Sequence, residues 1–253
     1  MKKESESSMG LQYSKDCIVS YFDSDTVGTM KLTSIFQKAL ELSGEHSSLL
    51  GRSDKYLMEE YGVAWVVLEY DMQVNRLPQY EEKFVITTEA TSYNKFFCYR
   101  DFYFKDTDGN ILLTIHSTWC MMNLAERKIA SITDDIVLPY ESDKLNKLVR
   151  GYKYSELSGD ISEKDYTIKY WDLDLNGHVN NVRYLDWIID SLDRSFLEKH
   201  EPAEFHLKYI KEIQYGTLVH SIMEKDNLTT NHEIISSEQN AQASIVWKEK
   251  YEV

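Results

Sequence analysis

The densest polar stretch of the chain combines carboxylate, amide and imidazole side chains. It is the run Asp-Leu-Asp-Leu-Asn-Gly-His-Val-Asn-Asn at residues 172–181. An apolar helical pattern begins directly after the run, which predicts a strand-to-helix junction there. Backbone N–H groups in the first turn of a helix lack intrahelical acceptors and favour negative charge. An acid, an amide and an imidazole beside such groups could activate a water molecule and stabilise an oxyanion.

The polar run has a less polar counterpart near the N-terminus. There, Tyr-Phe-Asp-Ser-Asp-Thr-Val-Gly aligns without gaps with the Tyr-Trp-Asp-Leu-Asp-Leu-Asn-Gly that overlaps the run. Val27 stands at the position of Asn176, and Thr29 stands at that of His178. The acidic residues and the glycine are kept in both copies, whereas the amide and the imidazole occur in only one. This difference favours a chemical role for the pair over the alternative, an ordinary capped turn.

Each copy of the junction precedes a helical pattern and then four strand patterns. The second helix carries one apolar stripe, and either Asn180 or Asn181 is its expected N-cap. Thr33 or Ser34 is the expected N-cap of the first helix. The stripe consists of Val182, Leu185, Ile189, Leu192 and Phe196. The predicted strands are Val63–Val74, Phe84–Thr91, Phe96–Lys105, Ile111–Leu124, Glu204–Ile210, Leu218–Lys225, His232–Ser237 and Ala243–Lys250.

The order strand, long helix and four strands therefore occurs twice. An antiparallel sheet curled around one buried helix would bury such a pattern in each half, and a single α+β domain is the alternative. We expect a tail at residues 1–9, an N-terminal unit at 10–145 and a C-terminal unit at 146–253. The first unit holds about 14 additional residues around 51–62. The expected linker consists of the polar stretches Pro139–Lys147 and Tyr154–Lys164.

Composition limits the classes of function. The 253 residues carry a net charge of −14 with 42% hydrophobic residues, which favours a folded core and disfavours nucleic acid as a partner. An apolar run long enough for a membrane span is absent, and residues 1–8 lack the apolar segment of a secretion signal. The sequence shows neither metal-ligand spacing nor a glycine-rich phosphate loop, so we expect no metal and no cofactor. A cytoplasmic location would keep the cysteines reduced: Cys17, Cys98 and Cys120.

The motif Asp-x-Asn-x-His-Val-Asn-Asn-x-x-Tyr at 174–184 resembles the signature of acyl-acyl carrier protein thioesterases of plants and bacteria. Trp65, Arg-Leu-Pro-x-Tyr at 76–80, Arg-x-Phe at 100–102 and Trp119 agree with this resemblance, which covers about residues 10 to 250. It implies an α+β fold of two hotdog units in tandem, each a long helix wrapped by a curled antiparallel sheet. It also implies hydrolysis of acyl-acyl carrier protein to free fatty acid, which ends fatty acid synthesis.

The resemblance implies catalytic roles for Asp174, Asn176 and His178, and for a glutamate on a later strand, Glu212. Plant members often carry a cysteine directly after that glutamate, but this chain has Ile213 there. We therefore expect direct attack of water on the thioester without a covalent acyl-enzyme. Gln-Tyr at 79–80 matches Gln-Tyr at 214–215, an offset of 135 residues. By this match the first-half counterpart of the glutamate is Leu77, so this polar residue also occurs in one copy only.

Within this expected mechanism, Glu212 or Asp174 is the general base or positions the water. Asn176 orients the water or a neighbouring carboxylate, and His178 donates a hydrogen bond to the carbonyl or a proton to the leaving thiolate. The oxyanion is expected at the backbone N–H groups of Asn180, Asn181 and Val182.

The resemblance also places an apolar slot for the acyl chain in the first half. Its candidate lining is Phe36, Leu40, Trp65, Val67 and Met72, for which plain core packing is the alternative. Acyl carrier protein is acidic, so docking requires a local basic patch against the overall charge. The candidates are Arg183, Lys208 and Lys211, each of which could instead be a solvated charge.

Three other functions fit parts of this pattern. The first is a thioesterase acting on coenzyme A, and the second is a hotdog hydratase or dehydratase. The third is a non-catalytic acyl-binding protein, which would need none of the polar residues found in one copy only. Acyl-chain length and saturation stay open. A monomer would suffice because the tandem units complete a site internally, and a homodimer is the alternative.

Overall fold

Two halves with the same order of elements follow one another in the computed structural model, which describes residues 10–174 and 177–250. The first half contains β1 (Gln12–Ile18), α1 (Leu32–Leu49), α2 (Asp54–Tyr61), β2 (Val63–Val74), β3 (Lys83–Tyr93), β4 (Phe97–Asp106), β5 (Ile111–Asn123), β6 (Lys128–Ala130), α3 (Asp134–Val137) and β7 (Asp143–Lys144). The second half contains β8 (Ile161–Thr167), α4 (Asn181–Asp190), α5 (Arg194–Leu197), β9 (His200–Tyr209), β10 (Leu218–Asp226), β11 (Thr229–Ile235) and β12 (Gln239–Glu249). Short 3₁₀ turns lie at Tyr21–Asp23, Leu138–Tyr140 and Tyr170–Asp172.

The described strands form one sheet that crosses from the first half into the second. Its order is β1-β3-β4-β5-β2-β9-β12-β11-β10-β8, with β6 paired to β5 and β7 paired in parallel to β3. The pairs along the main path are antiparallel, and the junction between the halves is the pair of β2 and β9. Tyr70 lies opposite Leu207 there, and Met72 lies opposite Phe205. Backbone hydrogen bonds thus fix the position of one half against the other.

The core is continuous between the halves. Helices α1 and α4 contact each other as well as the sheet, and one cluster of buried apolar side chains has members from both halves. The ring of Phe36 on α1 lies 4.7 Å from that of Tyr70 and 5.6 Å from that of Phe205 on β9. Burying one such aromatic side chain stabilises the fold by about 1.5–3 kcal/mol.

All eight predicted strands are observed, with bounds that differ from the predicted ones by up to four residues. Parts of the helix and linker predictions are wrong. Helix α1 begins after Lys31, whose N–H donates to the carbonyl of Asp23 at 2.8 Å, so Thr33 and Ser34 lie inside the helix. Asn180 caps α4, since its side chain accepts from the N–H of Val182. Helix α2 occupies the additional residues of the first half.

The second helix is shorter than its apolar stripe predicts. It ends at Asp190, and a separate turn of helix, α5, starts at Arg194. The hydroxyl of Ser191 donates to the carbonyl of Ile188 at 2.6 Å, and the carbonyl of Asp193 accepts from Phe196 and Leu197. These local hydrogen bonds compete with helix continuation.

The two polar stretches taken as linker contain structure. Tyr140 is buried, and its carbonyl accepts the N–H of Leu11 at 2.8 Å. Strand β7 pairs with β3, and β8 begins within the second stretch. By pairing with the sheet, these short strands provide hydrogen-bond partners for the backbone N–H and C=O groups of polar segments. Such strands lack an alternation of apolar residues, so the sequence pattern did not predict them.

Two further features concern the helices and the cysteines. Among the described helices, none combines the length and the apolar composition that crossing a bilayer requires. All three cysteines are free thiols. Burial raises the pKa of the Cys98 thiol to about 12 and that of Cys120 to about 11, so neither is an activated nucleophile.

Candidate active site

A hydrogen-bonded turn holds the polar motif in front of α4. The N–H of Asp174 donates to the carbonyl of His178 at 2.8 Å, and the N–H of His178 donates to Oδ1 of Asp174 at 3.1 Å. Gly177 has a φ of 78°, in the left-handed region that glycine adopts without steric cost. Asn176, predicted as catalytic, lies outside the described residues. The carboxylate of Asp174 therefore helps to fix the backbone from which the imidazole extends.

The first half contains the same turn without the polar side chains. The N–H of Asp25 donates to the carbonyl of Thr29, and the N–H of Thr29 donates to Oδ1 of Asp25, both at 2.8 Å. Gly28 has a φ of 82°, within a few degrees of its counterpart in the second half. Thr29 is buried. The shared aspartate shapes both turns, and the imidazole distinguishes them.

A short β-bridge brings the imidazole to the predicted glutamate. The N–H of Val179 donates to the carbonyl of Ile213 at 3.0 Å, and His178 bridges to Gln214. As a result, Nε2 of His178 lies 3.3 Å from Oε2 of Glu212. The His178 side chain is 20% exposed and that of Glu212 is 41% exposed, so water reaches both. The pair therefore places the carboxylate of Glu212, which can accept a proton, next to the imidazole of His178, which can accept or donate one.

Buried polar side chains fix the segment that carries the glutamate. The hydroxyl of Tyr184 donates to the carbonyl of Lys211 at 3.4 Å, and Nδ2 of Asn240 donates to the same carbonyl at 3.3 Å. The hydroxyl of Tyr209 donates to the carbonyl of Asn181 at 3.0 Å. The tyrosine of the motif therefore positions the neighbour of Glu212 from the first turns of α4.

An arginine from the other half completes the cluster, and the sequence did not reveal it. The guanidinium of Arg127 contacts the carboxylate of Glu212. Arg127 lies in the turn between β5 and β6 with a φ of 55°, and its N–H donates to the carbonyl of Asn123 at 2.9 Å. Strands β5 and β9 both run antiparallel to β2, so the C-terminal ends of β5 and β9 lie on the same side of the sheet, near the start of β2. The 85-residue separation left no local signal for this contact.

The expected oxyanion site at the N-terminus of α4 needs a correction. The N–H of Asn180 donates to the carbonyl of Asp172 at 2.8 Å, and that of Val182 donates to the side chain of Asn180 at 3.1 Å. Both donors are therefore used within the turn and the cap. None of the hydrogen bonds found among the described residues uses the N–H of Asn181.

Both halves of the chain match domain profiles of one protein family. The profile of the acyl-ACP thioesterase N-terminal domain, in which ACP is acyl carrier protein, matches residues 10–140. The profile of the acyl-ACP thioesterase C-terminal domain matches residues 155–249. The chain belongs to the acyl-ACP thioesterase family.

Individual relatives agree with the family assignment. A Lactobacillus plantarum protein provisionally described as an oleoyl thioesterase is 30% identical, with a TM-score of 0.90 over 96% of this chain and 98% of that one. A chloroplastic acyl-[acyl-carrier-protein] hydrolase of Cuphea viscosissima is 30% identical over 169 residues, which cover 64% of this chain and 41% of the relative. The oleoyl-acyl carrier protein thioesterase of Coriandrum sativum is 27% identical over 93% of this chain and 69% of the relative. The chain spans about half the length of the first curated relatives it matches.

Two of the five residues expected in the acyl slot line a cavity, and the other three do not. Leu40 and Trp65 line a cavity of about 220 Å³ in the first half. Phe36, Val67 and Met72 are instead buried in the core, where other apolar side chains fill the surrounding space. For these three, the core-packing alternative describes the structure.

The three residues expected to dock the carrier protein are ion-paired at the surface. Nη1 of Arg183 lies 2.7 Å from Asp186, and its Nε lies 3.4 Å from Asp172. The other two amines are paired as well, Lys208 with Glu69 at 3.1 Å and Lys211 with Glu238 at 2.5 Å. An acidic partner would therefore compete with internal carboxylates for each of these cations.

One group of donor side chains could hold a cation. Nδ1 of His220 lies 2.9 Å from Glu163 and 2.7 Å from Asp165, at the sheet edge that β8 and β10 form. The two carboxylates are exposed and already share the imidazole. Exposed acidic groups of this kind are common without a metal, and this cluster does not include the motif residues.

Proposed function

We propose that this protein hydrolyses the thioester of long-chain acyl groups on acyl carrier protein, releasing free fatty acid. The observation that carries the proposal is the pairing of His178 with Glu212 next to the N-terminus of α4. Membership in the acyl-ACP thioesterase family supports the same reaction. The first half has the same turn, but Thr29 stands in place of His178 and Leu77 in place of Glu212. This difference is expected if only the second of the two related sites is catalytic.

We propose that the fold is a tandem hotdog, with an N-terminal unit at 10–145 and a C-terminal unit at 146–253. The repeated order of strand, helix and four strands supports this division. The matching hydrogen bonds of the two glycine turns support it further. In the second unit the long helix of a hotdog corresponds to α4 followed by α5. Because β2 and β9 already pair within the chain, a monomer would suffice, with a homodimer as the alternative.

In the proposed reaction, Glu212 accepts a proton from water while the water oxygen attacks the thioester carbonyl carbon. Arg127 holds the glutamate carboxylate, and Asn176 orients the water. The carbonyl π electrons move to oxygen, where the N–H of Asn181 and the imidazole of His178 stabilise the negative charge. Collapse re-forms the carbonyl and breaks the carbon–sulfur bond. The proton that Glu212 took from water passes to Nε2 of His178, and the imidazole gives its other N–H proton to the leaving thiolate, which returns both side chains to their starting states. Asp174 positions the imidazole through the turn, which leaves Glu212 as the base.

The acyl chain and the carrier protein would bind at different places, the chain in a cavity and the carrier protein on the surface. The chain would enter the cavity lined by Leu40 and Trp65, where each buried CH₂ contributes about 0.8 kcal/mol. The carrier protein would dock against Arg183, Lys208 and Lys211. Its carboxylates would replace the carboxylates of this chain that now pair with these three residues. Such exchange makes the basic residues determinants of specificity more than of affinity.

The test of this function compares one long acyl group on acyl carrier protein and on coenzyme A. The proposal expects faster release of fatty acid from the carrier protein at equal concentration. Faster hydrolysis of the coenzyme A ester would favour the coenzyme A thioesterase. Hydration of an enoyl thioester without hydrolysis would favour the hydratase, and acyl binding without any reaction would favour the binding protein.

A further inference from the structure

Strands β5 and β12 occupy matching places in the two halves, since β5 pairs with β2 as β12 pairs with β9. The second residue of each strand has the same backbone contacts. The carbonyl of Asn240 on β12 accepts the N–H groups of residues 210–211 at 2.8 and 3.1 Å. The carbonyl of Leu112 on β5 accepts those of residues 75–76 at 2.9 and 3.1 Å. The two residues therefore share a backbone role and differ in their side chains.

The side chain of Asn240 binds the segment that carries Glu212. Its Nδ2 donates to the carbonyl of Lys211 at 3.3 Å and to that of Glu212 at 3.5 Å. Asn240 is 1% exposed, and its Oδ1 has no hydrogen-bond partner among the described residues. A buried polar atom without a partner destabilises the folded state. Leu112 has no such atom, and its side chain packs in the apolar core.

The amide is absent from the first half together with the group that it holds. Leu77 stands in place of Glu212, and Leu112 stands in place of Asn240. Because a leucine meets the backbone requirements of this position, the fold does not require an amide there. A buried polar group that lacks a partner and that the fold does not require is typical of a functional site.

We propose that Asn240 is a positioning residue for thioester hydrolysis, an inference that rests on the proposed function. Its amide holds the main chain of Lys211 and Glu212, which keeps the Glu212 carboxylate within reach of His178. A displacement of about 1 Å in such a group lowers the rate by about 10²-fold. The same amide destabilises the fold, because its Oδ1 is buried without a donor.

Exchanging the two side chains separates this role from a structural one. Asn240→Leu should lower kcat for acyl-acyl carrier protein at least about tenfold and change KM by less than about twofold. Its midpoint in urea unfolding should equal or exceed that of the wild type, since the carbonyl of Lys211 still accepts from Tyr184. The matched variant Leu112→Asn should lower the urea midpoint and leave kcat unchanged, because it buries an amide away from the proposed site.

Arg127 provides a second test, because it holds the same carboxylate from the other half. If Asn240 acts through the orientation of Glu212, the effects of Asn240→Leu and Arg127→Gln on kcat are not additive. The double variant should then lose less activity than the product of the two single losses. Losses that multiply would show that Asn240 does not act through Glu212.

Three further outcomes would overturn the inference. If the wild type is active and Asn240→Leu has the same kcat, only the role of Asn240 is wrong. If Asn240→Leu has a lower urea midpoint or does not fold, Asn240 is a structural residue. A wild type without thioesterase activity would overturn the proposed function and this inference together.

Discussion

Nε2 of His178 lies 3.3 Å from Oε2 of Glu212, although the two residues belong to separate segments of the second half. A β-bridge between His178 and Gln214 creates this proximity, and the turn closed by Asp174 aims the imidazole. Arg127 reaches the same carboxylate from the first half. The proposed active site therefore depends on the pairing of the two halves, and each contact can be tested separately.

The two turn aspartates provide a matched pair of variants. Asp174→Ala and Asp25→Ala remove equivalent hydrogen bonds to the backbone, so each should lower the free energy of unfolding by about 1 kcal/mol. Only Asp174→Ala should lower kcat, by about 10²-fold, because a displaced imidazole no longer lines up with the thioester. Urea unfolding and steady-state kinetics measure the two effects. An equal loss of kcat in both variants would mean that the turn of the second half has no special role.

Arg127 is predicted to position Glu212 rather than to stabilise the fold. Arg127→Gln should lower kcat about tenfold with little change in KM, since the carboxylate loses its fixed orientation. Arg127→Lys should restore part of the activity. Arg194→Gln, which removes the exposed ion pair with Glu198, is the control and should leave kcat unchanged. A loss seen mainly in KM would instead assign Arg127 to substrate binding.

Docking of the carrier protein is tested by reversing charge at Lys211. Lys211→Glu should raise KM for acyl-acyl carrier protein about threefold to tenfold and leave KM for a small acyl thioester unchanged. The matched control is Lys55→Glu, since Lys55 is an exposed lysine that pairs with Glu59 on α2. Equal changes for both substrates would remove Lys211 from the docking surface.

Stability should depend on pH through the buried His232. Burial lowers its pKa to about 3, so the native state keeps the imidazole neutral while the unfolded chain binds a proton below its ordinary pKa of 6.5. The free energy of unfolding should therefore fall as pH drops below 6.5, by about 1.4 kcal/mol per pH unit from this residue. His232→Gln should reduce the loss between pH 7 and pH 5 by about 2 kcal/mol in urea unfolding. An unchanged pH dependence would mean that His232 is protonated in the native state.

The sequence predicted those features that local patterns determine. Alternation of apolar residues located the predicted strands, including β2 with its observed bounds. The comparison of the two glycine segments singled out His178. Capping preference placed the start of α4 at Asn180 or Asn181, and Asn180 is the observed cap. These features depend on residues close together in the chain, so side-chain periodicity and turn chemistry reveal them.

Features that depend on distant contacts were missed. Arg127 meets Glu212 only because β2 lies between β5 and β9 in the sheet, and strand order is not encoded in alternation. The break after α4 depends on the hydroxyl of Ser191, which donates a hydrogen bond to the carbonyl of Ile188. The spacing of apolar residues carries no information about this hydrogen bond. The buried candidates for the acyl slot could not be separated from the core, because both roles use the same apolar residue types.

The proposed hydrolysis of an acyl thioester depends on His178 and Glu212. Its most direct test is the rate of fatty acid release from a long-chain acyl group on acyl carrier protein by the wild type and by His178→Ala, Glu212→Gln and Thr29→Ala. Loss of a positioned acid or base predicts a decrease of kcat by about 10²–10⁴-fold for the first two variants. Thr29→Ala, at the equivalent position of the first half, should retain wild-type kcat. Near-normal release by a folded His178→Ala variant would contradict the account.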